Sequence, residues 1–385
     1  MVSKQAMTST KVAFVVPSCS HYRVKTYELL AERWPQMKFY FFSRGDEWYV
    51  MRELGARAGN FPHEYLRSIK MGRWYITPSL VSRIWNYDIY ISGISGRFSL
   101  PLVYATARLR RKPFILWLGI WHRIQTPFQR LFFPATRHIY RNADAIVTYG
   151  THVEEYLISE GVKPERIFSA KHAIDNEVYA RSVSSEELST LRQRYNISDT
   201  HKVLLYVGRL VPEKGLDYLI EAFIQIARSD VILMLVGTGD YEVKLRARLQ
   251  EHNAINRARF VGYIPPEELP PFYALADVFV LPSITTPQFK EPWGLVVNEA
   301  FNQGKPVIAT NAVGAAMGGL VQHGINGFIV PERDSAALAK HILLLLDDPQ
   351  KCVAFGAAGR QRVSLWSNEA MIQAFSNAIE FVHKK

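Results

Sequence analysis

Residues 290–310 read KEPWGLVVNEAFNQGKPVIAT, and this stretch decides the fold. Pro292 fits the start of a helix, Gly304 fits its end, and PVIAT (306–310) is a short β-branched run of strand type. A helix that closes on a glycine and feeds such a strand is one unit of a parallel α/β sheet. Two acids stand out within it, Glu291 before the helix and Glu299 inside its apolar segment. A buried carboxylate without a partner costs several kcal/mol, so both acids need something to hold.

The same alternation extends in both directions. KVAFVVP (11–17), MKFYFFS (37–43), DIYISG (88–93), FILWLG (114–119) and AIVTYG (145–150) have the composition of strands, with amphipathic stretches such as TYELLAERW (26–34) between some of them. The scheme restarts with KVLLYVGRL (202–210), VILMLVG (231–237), RARFVGY (257–263) and DVFVLPS (277–283). A Ser-rich polar segment over 181–200 separates the two series. The expected organisation is two doubly wound Rossmann-like domains, 1–180 and 201–365, with a linker at 181–200 and a closing segment at 366–385. A length of 385 residues suits two such cores, and 48% apolar with 21% charged residues is the balance of a folded chain.

Composition narrows the function classes. The longest apolar runs, FILWLGIW (114–121) and VILMLVG, are far short of a membrane span. MVSKQAMTSTK at the amino terminus has no apolar h-region, so no signal peptide is expected. Cys19 and Cys352 form no ligand-spaced pair, which points to a reducing compartment and no structural zinc. The net charge of +11 is unevenly spread: residues 1–180 hold 25 Lys+Arg against 14 Asp+Glu, and residues 181–385 hold 21 of each. The first half thus suits an anionic partner, although a generally basic surface would give the same count.

Ligands bind such sheets at the carboxyl ends of the strands. After the strand ending at Val207 comes GRLVPEKG (208–215), where Gly208 allows close backbone approach and Arg209 and Lys214 supply two cations suited to a diphosphate. Solvated surface cations would look alike. In VILMLVGTGDYE (231–242) Gly237 and Gly239 match the first two positions of a dinucleotide fingerprint, but Glu242 occupies the third and no acid ends the next strand. A nicotinamide dehydrogenase is therefore disfavoured. Glu291 and Glu299 flank the start of the 294–304 helix, where unpaired N–H groups favour a phosphate. Carboxylates accept hydrogen bonds from hydroxyl pairs, so a diphosphate with a sugar on one side and a ribose on the other would satisfy both acids. That molecule is a nucleotide sugar.

The segment EPWGLVVNEA resembles the E-x7-E signature of the retaining glycosyltransferase family 4, whose members have the two-domain GT-B fold. GRLVPEKGLDYLIEAF (208–223), LVGTGDYE (235–242), RFVGYIPPEELPPFYALADVFVLPS (259–283), GKPVIAT (304–310), HGINGFIV (323–330) and, in the first half, RNADAIVTYG (141–150) match its motifs in order. SNEAMIQAFSNAIEFV (367–382) is similar to the last helix of that family, which returns to the first domain. The resemblance implies that Arg209 and Lys214 bind the donor diphosphate, Glu299 the ribose hydroxyls and Glu291 the transferred sugar. It places Gly208, Gly237, Gly294 and Leu295 along sugar and phosphate, and Gly262, Tyr263 and Ile264 beside the base. His122, in LWLGIWHR, matches a histidine that contacts the donor sugar near the reacting carbon. His122, Glu291, Arg209 and Lys214 are the expected catalytic set.

Two segments depart from the family. The first strand–helix loop, PSCSHYRVK (17–25), lacks the usual Gly-Gly pair, and His21 and Arg23 stand there as candidates for an anionic acceptor. KHAIDNEVY (171–179) lacks the usual Pro-Asn-Gly, and His172 is a third acceptor candidate. No D-x-D tripeptide occurs, so no metal and no cofactor are expected. The resemblance implies a retaining hexosyl transfer from a nucleotide sugar to a saccharide acceptor, lipid-linked on the present reading, in polysaccharide or glycolipid synthesis. LRSIKMGRWYITPSLVSRIW (66–85) and RLRRKPF (108–114) are candidates for peripheral contact with an anionic membrane from the cytoplasmic side. A nucleotide-sugar epimerase or phosphorylase of the same fold and a charge-driven binder of nucleic acid or another anionic polymer are the rival readings. The last leaves Glu291 and Glu299 without a role, and no nucleic-acid partner is expected.

Overall fold

The computed structural model describes residues 9–43, 59–71, 74–93 and 98–384. It divides into two compact units. Unit 1 comprises Met1–Ile120, Pro127–Lys171 and Asn368–Lys385, and unit 2 comprises Trp121–Thr126 and His172–Ser367.

Unit 1 is built on strands β1 (Val12–Val16), β2 (Met37–Phe41), β3 (His63–Tyr65), the hairpin β4 (Ile69–Met71) and β5 (Trp74–Ile76), then β6 (Ile89–Gly93), β7 (Phe114–Leu118), β8 (Ala145–Thr148) and β9 (Ile167–Ser169). Seven of them form a parallel sheet in the order β3-β2-β1-β6-β7-β8-β9. The runs VAFVV and FILWL are buried at every position, as central strands covered on both faces must be. Phe14 of β1 stacks on Phe39 of β2 and meets Trp117 of β7 and Phe375 of the last helix, Asn368–His383. That helix also accepts from Trp34 Nε1 at Ser376 Oγ (3.2 Å) and from Thr26 Oγ1 at Asn368 Oδ1 (2.7 Å). The last helix is therefore part of the unit 1 core.

Unit 2 carries β10 (Lys202–Val207), β11 (Val231–Val236), β12 (Ala258–Gly262), β13 (Val278–Leu281), β14 (Val307–Thr310) and β15 (Gly327–Val330). They pair in parallel in the order β12-β11-β10-β13-β14-β15. Helices such as Leu216–Ile226 cover the sheet, burying Leu216, Leu219, Ile220, Phe223 and Ile226 at helical spacing. Both sheets are doubly wound, as the sequence implies.

The chain divides earlier than the expected linker. The division falls between Lys171 and His172, and much of 181–200 is a helix, Ser185–Arg194, that belongs to unit 2. Its Ser184 and Glu187 form a reciprocal capping box, which is what the serine-rich composition encodes. The short strands β3, β4, β5 and β9 went unread in the sequence because three residues carry no periodicity.

Candidate active site on unit 2

The strand order of unit 2 reverses between β10 and β13, the switch point at which open α/β sheets bind ligands beyond their carboxyl ends. The loops after β10 (208–215) and after β13 (282–295) leave the sheet there. They are stitched together: Ile284 N donates to Glu213 O at 3.0 Å, and a Cβ on Gly215 would lie 2.0 Å from Pro282 O. The loop after β11 joins them. Leu210 N donates to Thr238 O (2.8 Å), and a Cβ on Gly237 would lie 2.0 Å from Gly208 O. Gly237 N in turn donates to Gly262 O (2.8 Å), which brings in the end of β12. Gly215 and Gly237 are required by close approach of backbone to backbone.

On this platform Lys214 Nζ is ion-paired with Glu291 Oε2, and Ser283 Oγ donates to the same oxygen at 3.0 Å. Both of these side-chain partners fall on Oε2. The backbone of Glu291 is fixed as well, its carbonyl accepting from Gly314 N (3.1 Å) and Trp121 Nε1 (2.9 Å). Arg209 lies on the same loop as Lys214, with Glu213 at 3.5 Å. Below the loop, Glu332 accepts from Thr285 N and from Thr285 Oγ1 (2.7 Å), tying the loop after β13 to the end of β15. Gly294 has φ +90 and packs against Leu281 and Val313, so the turn into the following helix is fixed.

That helix, Val296–Asn302, is shorter than expected, and Glu299 within it is 7% exposed. Its carboxylate accepts from the Tyr273 hydroxyl at 2.5 Å and also from that of Tyr179. Burial pushes the Glu299 carboxyl up to about 7, against the pull of the two hydroxyls. The premise that a ligand must satisfy both acids is thus corrected. Lys214 from another loop and Ser283 from the same loop hold Glu291, and two tyrosines from other elements hold Glu299.

His122 lies in the Trp121–Thr126 segment, which belongs to unit 2 although the strand before it belongs to unit 1. Both ring nitrogens are buried without a hydrogen-bond partner among the described residues. Burial and the neighbouring Lys290 ammonium pull its imidazole down to about 4, so the ring is neutral at pH 7. Lys290 Nζ sits 3.6 Å from the Trp121 ring centroid, which anchors the segment beside Glu291. A buried neutral imidazole with neither nitrogen satisfied needs a polar partner.

The acceptor candidates fare differently. Arg23 is 3% exposed, donates to Met371 Sδ (3.2 Å) and lies over the rings of Tyr22 and Trp117 at 5.0 and 5.1 Å. It is a core cation of unit 1, not a surface contact. His172 is 3% exposed, packs its ring edge-on to Trp293 and accepts from Asn298 Nδ2 through its carbonyl at 3.2 Å. Arg23 and His172 are thus enclosed by protein contacts, whereas His21 is half-buried at the end of the loop after β1. Gly262 has φ +84 with open space where a Cβ would stand, and Tyr263 and Ile264 beside it are half-buried. Ser283, Tyr179, Tyr273, Trp121 and Lys290 escaped the sequence reading because single polar residues in loops and helices carry no local pattern. Among the described residues no group of three or more His, Cys, Asp or Glu side chains is placed to hold a metal ion.

With this geometry in hand, comparison with known proteins is specific. Residues 189–362 match the family model of glycosyl transferases group 1. A GDP-mannose-dependent alpha-(1-6)-phosphatidylinositol monomannoside mannosyltransferase of Mycobacterium tuberculosis is 38% identical over 178 residues, 45% of this chain and 46% of the relative. An alpha-D-kanosaminyltransferase of Streptomyces kanamyceticus is 26% identical over 304 residues, 78% of this chain and 70% of the relative. The chain spans about half the length of the mannosyltransferases it matches. Among solved structures, Anabaena HepE in complex with UDP superposes with a TM-score of 0.77 at 22% identity, covering 96% of this chain and all of that one. The fold is of the GT-B type, two α/β domains with parallel sheets of seven and six strands.

Proposed function

We propose that the chain is a retaining, metal-independent glycosyltransferase that moves a hexose from a nucleotide sugar to a saccharide acceptor carried on a lipid. The observation that carries this reading is the convergence of Arg209, Lys214, Glu291 and the orphaned imidazole of His122 at the switch point of unit 2. The mannosyltransferase relatives act on phosphatidylinositol mannosides by name, which supports a glycolipid acceptor and makes GDP-mannose the first donor to test.

On this reading Lys214 has three donors and uses one on Glu291, so two are left for a diphosphate, and the Arg209 guanidinium supplies the second cation. Glu291 Oε1 accepts from hydroxyls of the transferred sugar. His122, neutral, pairs with a further sugar hydroxyl near the reacting carbon. The acceptor oxygen bonds to the anomeric carbon on the face from which the diphosphate leaves. The anomeric C–O bond breaks, its electron pair departs with the diphosphate, and a phosphate oxygen takes the acceptor proton. The cations stabilise the charge that develops on the leaving group. The basic first half supports a location on the cytoplasmic face of an anionic membrane.

The test is thermal stabilisation by a panel of nucleoside diphosphates and nucleotide sugars, repeated with EDTA. One nucleotide should raise the melting temperature of the wild type, with or without EDTA, and fail to do so in Arg209→Ala, which removes the second diphosphate cation. No shift with any nucleotide would overturn the reading.

A further inference from the structure

Between Asp88 and Asp144 the sequence holds nine Lys or Arg and no acid. Two helices of unit 1 lie in this stretch, Ser99–Leu109 and Pro127–Asn142. They run side by side and in step: Tyr104 Oη meets His138 Nε2 (3.4 Å) and Arg108 Nη2 donates to Asn142 O (3.3 Å), the same sequence offset at both contacts. Each helix buries one side, through Val103 and Ala107 on the first and Ile139 and Tyr140 on the second. Each also leaves large apolar side chains in solvent. Leu102 and Leu109 lie on one stripe of the first helix, Leu109 being 75% exposed. Leu131 and Phe132 of the second are 74% and 47% exposed. At the carboxyl end of the first helix Arg110 lies over the exposed Trp85 ring at 5.3 Å, and Arg111 follows in solvent.

Single exposed apolar side chains need no explanation, but four of them on two adjacent helices in an acid-free segment do. We infer that this helix pair docks unit 1 onto an anionic lipid surface, Leu131, Phe132 and Leu109 entering the headgroup boundary while Arg110 and Arg111 meet lipid phosphates. The partner is chosen by charge: a protein groove of mixed sign gains nothing from the absence of every acid over this span, whereas a bilayer of anionic headgroups attracts each cation. No helix among the described residues is long and apolar enough to cross a membrane, so the contact is one of surface docking. The expected contact at 66–85 is thereby narrowed. Leu66, Leu80 and Ile84 are core residues, while Ile69 and Trp85 are exposed, and Trp85 lies beside Arg110.

The inference rests on the lipid-side reading of the acceptor, but its test does not pass through catalysis. Full-length protein is sedimented with phosphatidylcholine vesicles with and without phosphatidylglycerol, as wild type, Leu131→Ser/Phe132→Ser and Arg110→Gln/Arg111→Gln. Wild type should bind the anionic vesicles only. The arginine pair should bind them roughly thirtyfold more weakly, at about 1 kcal/mol per cation near the surface, and the apolar pair roughly tenfold more weakly. Melting temperature and stabilisation by nucleotide should stay unchanged in both. Leu109→Ser, at a largely exposed position, repeats the test if the apolar pair unfolds. Equal vesicle binding by all forms, or self-association of the wild type lost in the same variants, would overturn the inference. Loss of nucleotide stabilisation in the wild type would count against the transferase reading alone.

Discussion

Lys214 and Glu291 illustrate how the candidate site divides its charges. Both side chains are nearly buried, and each is the main ionic partner of the other. Removing one leaves a desolvated charge, whereas removing both leaves an apolar contact. Lys214→Met should therefore cost about 3 kcal/mol in urea unfolding, and Lys214→Met/Glu291→Met should return to within about 1 kcal/mol of wild type. Additive losses would show that the pair is not coupled. Glu299 follows the opposite logic. Its folded-state carboxyl is raised to about 7, above the ordinary value near 4.5. The fold therefore favours the protonated acid. That contribution is complete below about pH 4.5 and is lost as pH rises towards 7, amounting to on the order of 3 kcal/mol. Glu299→Gln, which cannot ionise, should gain stability over wild type at pH 8 compared with pH 5. Parallel pH–stability curves for the two proteins would contradict the assignment.

The loops that carry these residues depend on glycines of two kinds. Gly237 has φ +133 and no room for a Cβ, because Gly208 O lies 2.0 Å from where it would stand. Gly262 has φ +84 but open space at the same position. Gly262→Ala should thus cost only the left-handed backbone conformation, about 1 kcal/mol. Gly237→Ala must also push apart the loops after β10 and β11, and should cost more than 2 kcal/mol. Urea unfolding of the two single variants separates these costs, and equal losses would mean that the loops yield freely. The helix Val296–Asn302 shows the same dependence on surroundings. Its end was legible from Gly304 but its start at Val296 was not, and Asn298 within it is tied to Trp293 Nε1 (2.8 Å) and to the His172 carbonyl, neither of which lies on the helix.

At the scale of the molecule, the chain builds unit 1 from three separate segments and unit 2 from two. The last helix buries Met371, Phe375 and Ile379 within unit 1. Ending the chain at Ser367 should expose Phe14 and Trp34 and lower the melting of unit 1 by well over 5 °C, while unit 2 keeps its own transition. Calorimetry of the shortened protein checks this, and an unaltered thermogram would show the helix to be dispensable. The sequence by itself determined the two parallel sheets, the switch-point loops and the acids and cations on them. Strand composition, glycine turns and helix ends are local, and local chemistry is written in neighbouring residues. Only the tertiary structure decided who pairs with whom. It gave Glu291 to Lys214 and Ser283, gave Glu299 to Tyr179 and Tyr273, buried Arg23 and His172, and left His122 without a partner among the described residues. Apart from Ser283, eight positions from Glu291, those outcomes rest on contacts between residues tens to hundreds of positions apart, and burial is a property of the packed chain that no short stretch contains.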